Sequence, residues 1–333
     1  MNIGAKDIAI RAGVSISTVS RALSGSLLIN EDTKKRIQKI AAELHYSPNI
    51  LAKGLKLGKT RTIGIIVPNV SELIFPPIIA GISETANCHN YNVILCVTNE
   101  SPEKEVDFVA NLRQRWVDGL IISTAITETP SLARLKEEGF PVVLMLRQID
   151  HYNAIVTDNV NGGYLGTKTL LERGFRRIAL INGDTRLRLY RERHIGYQKA
   201  LAEADIPYDP EIVLQDILGW QSACEAIERL IASGRLFDAV FATSEHKALG
   251  VLRGMQDHGI RVPDDVSLMG YDGMDTSLLA NPSITSIAQP FYEIGQRAAG
   301  RLIELIEGAA GSKPVLQMMP VTLVERRSIR NRI

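Results

Sequence analysis

From Arg61 onward the chain alternates short, almost wholly apolar runs with amphipathic stretches, and it does so twice. In the first series the runs 62–67, 92–97, 119–123, 142–146 and 154–157 read as strands, with helices at 77–89, 103–115 and 131–138 between the first four. The second series reads 162–173 helix, 177–181 strand, 193–204 helix, 211–214 strand, 221–233 helix, 239–242 strand, 247–258 helix and 266–270 strand. Strands without an alternating polar face must be buried on both sides, so the pattern predicts parallel sheets covered by helices. Two series mean two doubly wound subdomains, each with its binding edge at the carboxyl ends of its strands.

The first sixty residues do not share this pattern. Residues 6–12 are helix-compatible, with Ile8, Ala9 and Ala12 on one face. Gly13 supplies the left-handed backbone of a helix terminus, and Ser15 is placed to cap a second helix by accepting from the amide of Ser17 or Thr18. Val19 and Leu23 then face inward, leaving Ile16, Ser17, Ser20 and Arg21 outward. These twelve residues alone fit either a helix-turn-helix that reads DNA or a plain surface helical hairpin. Beyond them, Asn30 is a cap for a third helix over 31–44, with acids in its first turn and Ile37, Ile40, Ala41 and Leu44 on one face.

The succession Lys6-Asp7-Ile8-Ala9, Ala12-Gly13-Val14-Ser15, Thr18-Val19-Ser20-Arg21 and Tyr46-Ser47-Pro48-Asn49 resembles the lac repressor (LacI) family of bacterial transcription regulators, and the resemblance continues to the last residues. It implies a small all-α helix-turn-helix head followed by an α/β core of two parallel-sheet subdomains with the periplasmic-binding-protein fold. The expected domains are a head at 1–48, a hinge helix and linker at 49–60, and an effector-binding core at 61–333. Within the core the resemblance implies crossings: subdomain 1 takes 61–158 and 291–320, and subdomain 2 takes 159–290 and 321–333. The expected DNA-binding residues are Lys6, Ser15, Ile16, Ser17, Thr18, Ser20, Arg21 and Asn30, together with Leu55. The segment 50–57 is short and carries Gly54, so alone it is too weak to stay helical. In the family this hinge folds on the operator, pairs with its dimer mate and pushes a leucine into the minor groove, the position Leu55 occupies here.

Charge agrees with that division. The net charge of +1 hides ten Lys/Arg against four acids in residues 1–60, leaving a mildly acidic remainder. A basic head on an acidic body suits a molecule of which only the head meets phosphate. No apolar run spans a bilayer and no signal peptide opens the chain, so a cytoplasmic protein with no membrane partner is expected. Cys88, Cys96 and Cys224 have no metal or redox spacing and are expected to be reduced core thiols. No nucleotide-binding glycine motif, nucleophile elbow or zinc spacing is present, which argues against an enzyme, a cofactor or a bound metal. The rival reading, a solute-binding protein of a sugar transporter, is disfavoured by the basic head. With no leucine-heptad tail, a homodimer is expected.

Candidate effector residues lie at strand ends: Phe75, Arg147, Asp158, Arg193, Trp220, Ser244, Asp272 and Gln289. By the resemblance, Phe75 lies in a loop where the family has aromatics. Arg193 heads Arg193-His194-Ile195-Gly196-Tyr197, Asp272 follows Gly270-Tyr271, and Gln289 ends Thr285-Ser286-Ile287-Ala288-Gln289. Asp158 is alternatively a brace for the crossover. Two departures bear on the ligand: Leu146 stands where the family often has an acid before Arg147, and Glu245 stands where an Asp usually follows Ser244. A guanidinium and a carboxylate suit vicinal hydroxyls, and Phe75 or Trp220 could stack on a sugar ring, so a carbohydrate is expected over a purine. Arg186, Arg188 and Arg191, if not simply solvated, join Arg147 in suggesting a sugar acid or sugar phosphate.

Overall fold

The computed structural model describes residues 4–23, 26, 28–44, 46, 59–114, 117–124, 129–309, 311 and 313–332. The expectations placed on Ser47, Pro48, Asn49 and the hinge with Leu55 lie outside these residues. The chain divides into two units, Met1–Thr60 and Arg61–Ile333. No described helix is long and apolar enough to cross a membrane.

Among its described residues the first unit holds three helices, α1 (Ala5–Ala12), α2 (Ile16–Leu23) and α3 (Glu31–Glu43). Each boundary has a local cause. The Asp7 carboxylate accepts from the Gly4 amide at 2.8 Å and closes the first turn of α1. Gly13 ends that helix in the left-handed region, with φ of 64°, where a Cβ would be strained. Ser15 Oγ accepts from the Thr18 amide and Asn30 Oδ1 from the Thr33 amide, capping α2 and α3. Ile8, Ala9, Ala12, Val19, Ala22, Ile37 and Ala41 form the shared core, and Arg11 pairs with Glu43 on its rim.

Among its described residues the second unit contains two six-stranded sheets. The first has the order β11-β5-β4-β3-β1-β2, formed by Thr62–Val67 (β1), Asn92–Val97 (β2), Gly119–Ile122 (β3), Val142–Met145 (β4), Asn153–Thr157 (β5) and Leu316–Met319 (β11). The second has the order β12-β10-β9-β8-β6-β7. Its strands are Ile178–Ile181 (β6), Val213–Leu214 (β7), Ala239–Ala242 (β8), Ser267–Asp272 (β9), Thr285–Ala288 (β10) and Thr322–Val324 (β12). All pairings are parallel except β12 on β10. That exception departs from the all-parallel expectation for a topological reason: β11 runs out to the crossover, so the strand leaving the crossover for the other sheet must run back.

Ile63, Ile65 and Val67 of β1 pack under Phe75–Cys88 (α4) and Phe291–Glu307 (α12), while Ile66 packs under Pro102–Arg113 (α5) and Pro130–Glu137 (α6). The second sheet repeats the plan. Leu180 and Phe241 lie under Asn159–Glu172 (α7) and Arg188–Glu203 (α8). Ile181 and Val240 lie under Gly219–Ala232 (α9) and Glu245–Asp257 (α10). A short helix, Asp275–Leu279 (α11), follows β9. Each fully buried Ile, Leu or Phe contributes about 1.5–3 kcal/mol, so the four apolar layers hold the two sheets flat against their helices. The cysteine expectation needs correcting. Cys88 is exposed, because it is the last residue of α4 and falls on an uncovered side of the helix; Cys96 and Cys224 are partly buried.

Helices α7 and α8 approach closely through two glycines. A Cβ on Gly163 would strike the Arg193 carbonyl, and one on Gly196 would strike the Val160 carbonyl and the Tyr164 amide. Backbone cannot yield as a side chain does, so we expect Gly196→Ala to destabilise the protein by about 1–3 kcal/mol. Gly300 of α12 has open space around its Cβ position, and Gly300→Ala should stabilise by about 0.5–1 kcal/mol. Urea unfolding of the two variants checks the pair of opposite signs.

Candidate DNA-reading face and effector cleft

In the first unit, burial of Val19 and Ala22 fixes which side of α2 looks outward. Ile16, half exposed, and Ser17, Ser20 and Arg21, all exposed, share that outer side. Lys6 is exposed on α1. Ser15 and Thr18 are joined by their hydroxyls at 2.8 Å at the start of α2, and Asn30 is engaged as a cap. An apolar tip, two hydroxyls and a guanidinium on a short rigid helix are the groups that meet thymine methyls, base edges and phosphates.

In the second unit, β9 ends at Asp272, whose φ of 85° lies in the left-handed region and turns its buried carboxylate back along the strand ends. Its Oδ2 accepts from the Glu245 backbone amide at 3.0 Å and its Oδ1 from the Gln289 amide at 2.7 Å. Thr157, at the end of β5 in the other sheet, donates its hydroxyl to Gln289 Oε1 at 2.7 Å. Beside this chain, Arg193 is buried with its Nε donating to Asn159 Oδ1 at 3.0 Å and its Nη1 to the Thr243 carbonyl at 2.5 Å. Its guanidinium lies 3.8 Å from the centroid of the Tyr271 ring, a cation–π contact in a desolvated setting. Burial pushes the Tyr271 phenol up to about 12.

The other expected effector residues have varied placements. Arg147 follows β4 and donates to the Leu146 carbonyl at 3.0 Å, while its Nε is buried without a partner. Ser244 opens α10, and its hydroxyl accepts from Lys247 at 3.1 Å. Trp220 is half exposed at the second position of α9. Asp158 caps α7 by accepting from the Asn161 amide at 2.9 Å. Phe75 is only 3% exposed and packs into the core under β1, away from any ring it could stack on. Arg147, Asn159 and the first turn of α8 line a cavity of about 30 Å³, room for one or two waters.

Asn159, Tyr190, Glu72, His246 and Lys247 of this region were missed in the sequence. Asn159 and Tyr190 carry no motif, and Glu72 and His246 are far apart in the chain. The clearest missed signal is Lys247, a cation in the first turn of α10 where the helix dipole disfavours positive charge. The arginines of the loop before Arg193 separate: Arg186 is held by Asp184 and Arg188 by Glu192, both in exposed pairs.

Glu72, in the loop after β1, meets His246 Nδ1 of α10 at 3.1 Å and so bridges the two subdomains. The hydrogen bond to Glu72 raises the His246 pKa above its ordinary 6.5, with Asp272 adding to the effect and Lys247 opposing it. The same bond holds Glu72 below its ordinary 4.5 against burial, aided by Lys247. The histidine's contribution to stability is therefore complete below pH 6.5 and is lost as pH rises through its raised folded value. The glutamate's is complete above pH 4.5 and is lost as pH falls through its lowered one. Glu72→Gln should therefore flatten the loss of stability between pH 6 and 8, as read by denaturant melts. An identical profile in the variant would remove the bridge from the account.

Comparison with known proteins agrees with both halves. Residues 5–49 match the family described as bacterial regulatory proteins, lacI family, and residues 167–329 match the periplasmic binding protein-like domain. The chain is 35% identical over 326 residues to the HTH-type transcriptional regulator RegA of Clostridium saccharobutylicum, covering 97% of this chain and 98% of that one. The lac repressor dimer bound to operator and the anti-inducer ONPF superposes with a TM-score of 0.90 at 27% identity, over 98% of this chain and 99% of that one. The transcriptional regulator CelR–cellobiose complex superposes with a TM-score of 0.75 at 28% identity, with the same coverages. The chain thus belongs to the lacI family of bacterial regulatory proteins and is a DNA-binding transcriptional regulator, not an enzyme.

Proposed function

We propose that the protein is a cytoplasmic, homodimeric repressor whose affinity for a palindromic operator is controlled by a sugar or sugar acid bound between its core subdomains. The head at 1–48 reads the operator, the segment 49–60 is the hinge, and the core at 61–333 senses the effector. The observation that carries this reading is the exposed Ile16, Ser17, Ser20 and Arg21 face on a capped second helix, in a chain whose other unit converges buried Arg193 and Asp272 at strand ends. The operator and anti-inducer held by the lac repressor structure, and the cellobiose held by CelR, support both parts.

The mechanism follows from the cleft. A sugar that reaches Arg147 beside one sheet and Asp272 at the end of the other binds with an affinity set by how the two subdomains are held. The effector then shifts the balance between subdomain arrangements by the difference in its affinity for them. In Asp272 the effector finds a carboxylate for its hydroxyls, and in Arg193 a guanidinium. Two heads bind two half-sites only when the dimer holds them at the right spacing, so the subdomain angle controls both at once.

An electrophoretic shift with a duplex selected from a random pool tests the reading. The full chain should retard the duplex, and residues 61–333 alone should not. Within the head, Arg21→Ala should cost about 1–3 kcal/mol and relax a single operator position if Arg21 reads guanine; uniform weakening across sequences would assign it to phosphate instead. Asp272→Asn should still retard the duplex, with an altered affinity because the joint between the sheets is disturbed, while losing the response to effector. Retention of that response would remove Asp272 from the site.

A further inference from the structure

Three cations, Lys247, Arg193 and Arg147, have Tyr190 as a neighbour. Lys247, 3% exposed, donates to the Tyr190 hydroxyl at 3.3 Å and to Ser244, with its Nζ 4.5 Å from the centroid of the Tyr190 ring. Arg193, 4% exposed, lies 5.5 Å from the same centroid and donates to Asn159 and the Thr243 carbonyl, both uncharged. Arg147 comes from the other subdomain, with Tyr190 and Arg193 among its electrostatic neighbours. Its one hydrogen bond is to a carbonyl, and its buried Nε has no partner.

Among the described residues, none of the three forms an ion pair, and three of the neighbouring carboxylates are engaged by other groups. Glu192 holds Arg188 at 2.5 Å and Glu72 holds His246. Asp272 accepts from two amides. Glu245 accepts from Thr276, and burial raises its pKa toward the neutral form. Glu100 and Glu105 attract Arg147 without an ion-pair contact. Elsewhere the chain pairs its arginines freely, as Arg186 with Asp184, Arg253 with Asp257 and Arg261 with Asp265. Enclosing cations without counter-ions is unfavourable, and Arg147 and Arg193 also repel each other as the cleft closes.

Resting on the effector-controlled reading above, we propose that the cleft takes an anionic polyol, with Arg147, Lys247 and Arg193 holding its carboxylate or phosphate beside Tyr190 while Asp272 takes its hydroxyls. The unpartnered Nε edge of Arg147 is the side of a guanidinium that grips two oxygens at once. Lys247 adds a point charge from the opposite subdomain. An oxyanion between them replaces like-charge repulsion with attraction, so closure depends on the ligand's charge.

The test is calorimetric titration of the full-length protein with hexonates, uronates and hexose 6-phosphates in the gluco, galacto and manno series. Their neutral parent sugars and inosine complete the panel. We expect an anion to bind at least tenfold more tightly than its neutral parent, with the carboxylate and phosphate arms telling which oxyanion it is. Lys247→Gln and Arg147→Gln should each cut the anion's advantage over its neutral parent at least tenfold. Lys247→Arg should restore most of that advantage, and Arg186→Gln should leave it unchanged. A neutral sugar bound as tightly as its acid would overturn the proposal and leave the sugar reading standing. Binding of inosine alone would overturn both. Binding by none of the anions would overturn the proposal.

Discussion

A single chain of hydrogen bonds, Thr157 to Gln289 to Asp272 to the Glu245 amide, ties together the ends of β5, β10 and β9 and the start of α10. Thr157 and Gln289 sit at two of the places where the polypeptide passes between the sheets. Fixing them fixes how the two sheets face each other. Asp272 holds its left-handed backbone because both carboxylate oxygens are satisfied there, and satisfied buried charge is what offsets the strain. The carboxylate proposed to meet the effector is thus the one that holds the crossover together. A ligand that takes one of those hydrogen bonds alters the joint between the subdomains directly.

The rest of the cleft is arranged around that joint. Glu72 and His246 attract across it, while Arg147 and Arg193 repel across it. A ligand that binds one subdomain arrangement better than another shifts this balance, and a coupling of about 1–3 kcal/mol changes affinity by 5- to 150-fold. The close α7–α8 packing matters for the same reason: the carbonyl that presses on Gly163 belongs to Arg193, so helix spacing sets the position of the guanidinium.

What the sequence revealed follows the range of the forces involved. Gly13, Ser15 and Asn30 announced their helix ends because capping is settled within four residues. Strands β1 to β9 were legible as mainly apolar runs, whereas β10, with its buried Thr285 and Ser286, and the short β11 and β12 were not. Helix starts were less so. Helix α8 begins at Arg188, five residues before the apolar rhythm does, because its first turn is held by Arg188 and Glu192 and not by a core. Phe75 shows the converse: an aromatic in a strand-end loop reads as a stacking surface, but it starts α4 and is drawn into the core beneath β1. The Glu72–His246 bridge and the cations around Tyr190 join distant segments, and only the folded chain brings them together.

The most direct measurement is reciprocity between the two binding events. With a duplex selected from a random pool and the tightest-binding sugar of the panel, fluorescence anisotropy gives operator affinity with and without the sugar. Calorimetry then gives sugar affinity with and without the duplex. If both ligands bias one equilibrium between subdomain arrangements, the two ratios must be equal and well away from one, about 5- to 150-fold. Ratios of one in both directions, with both ligands bound, would contradict the account.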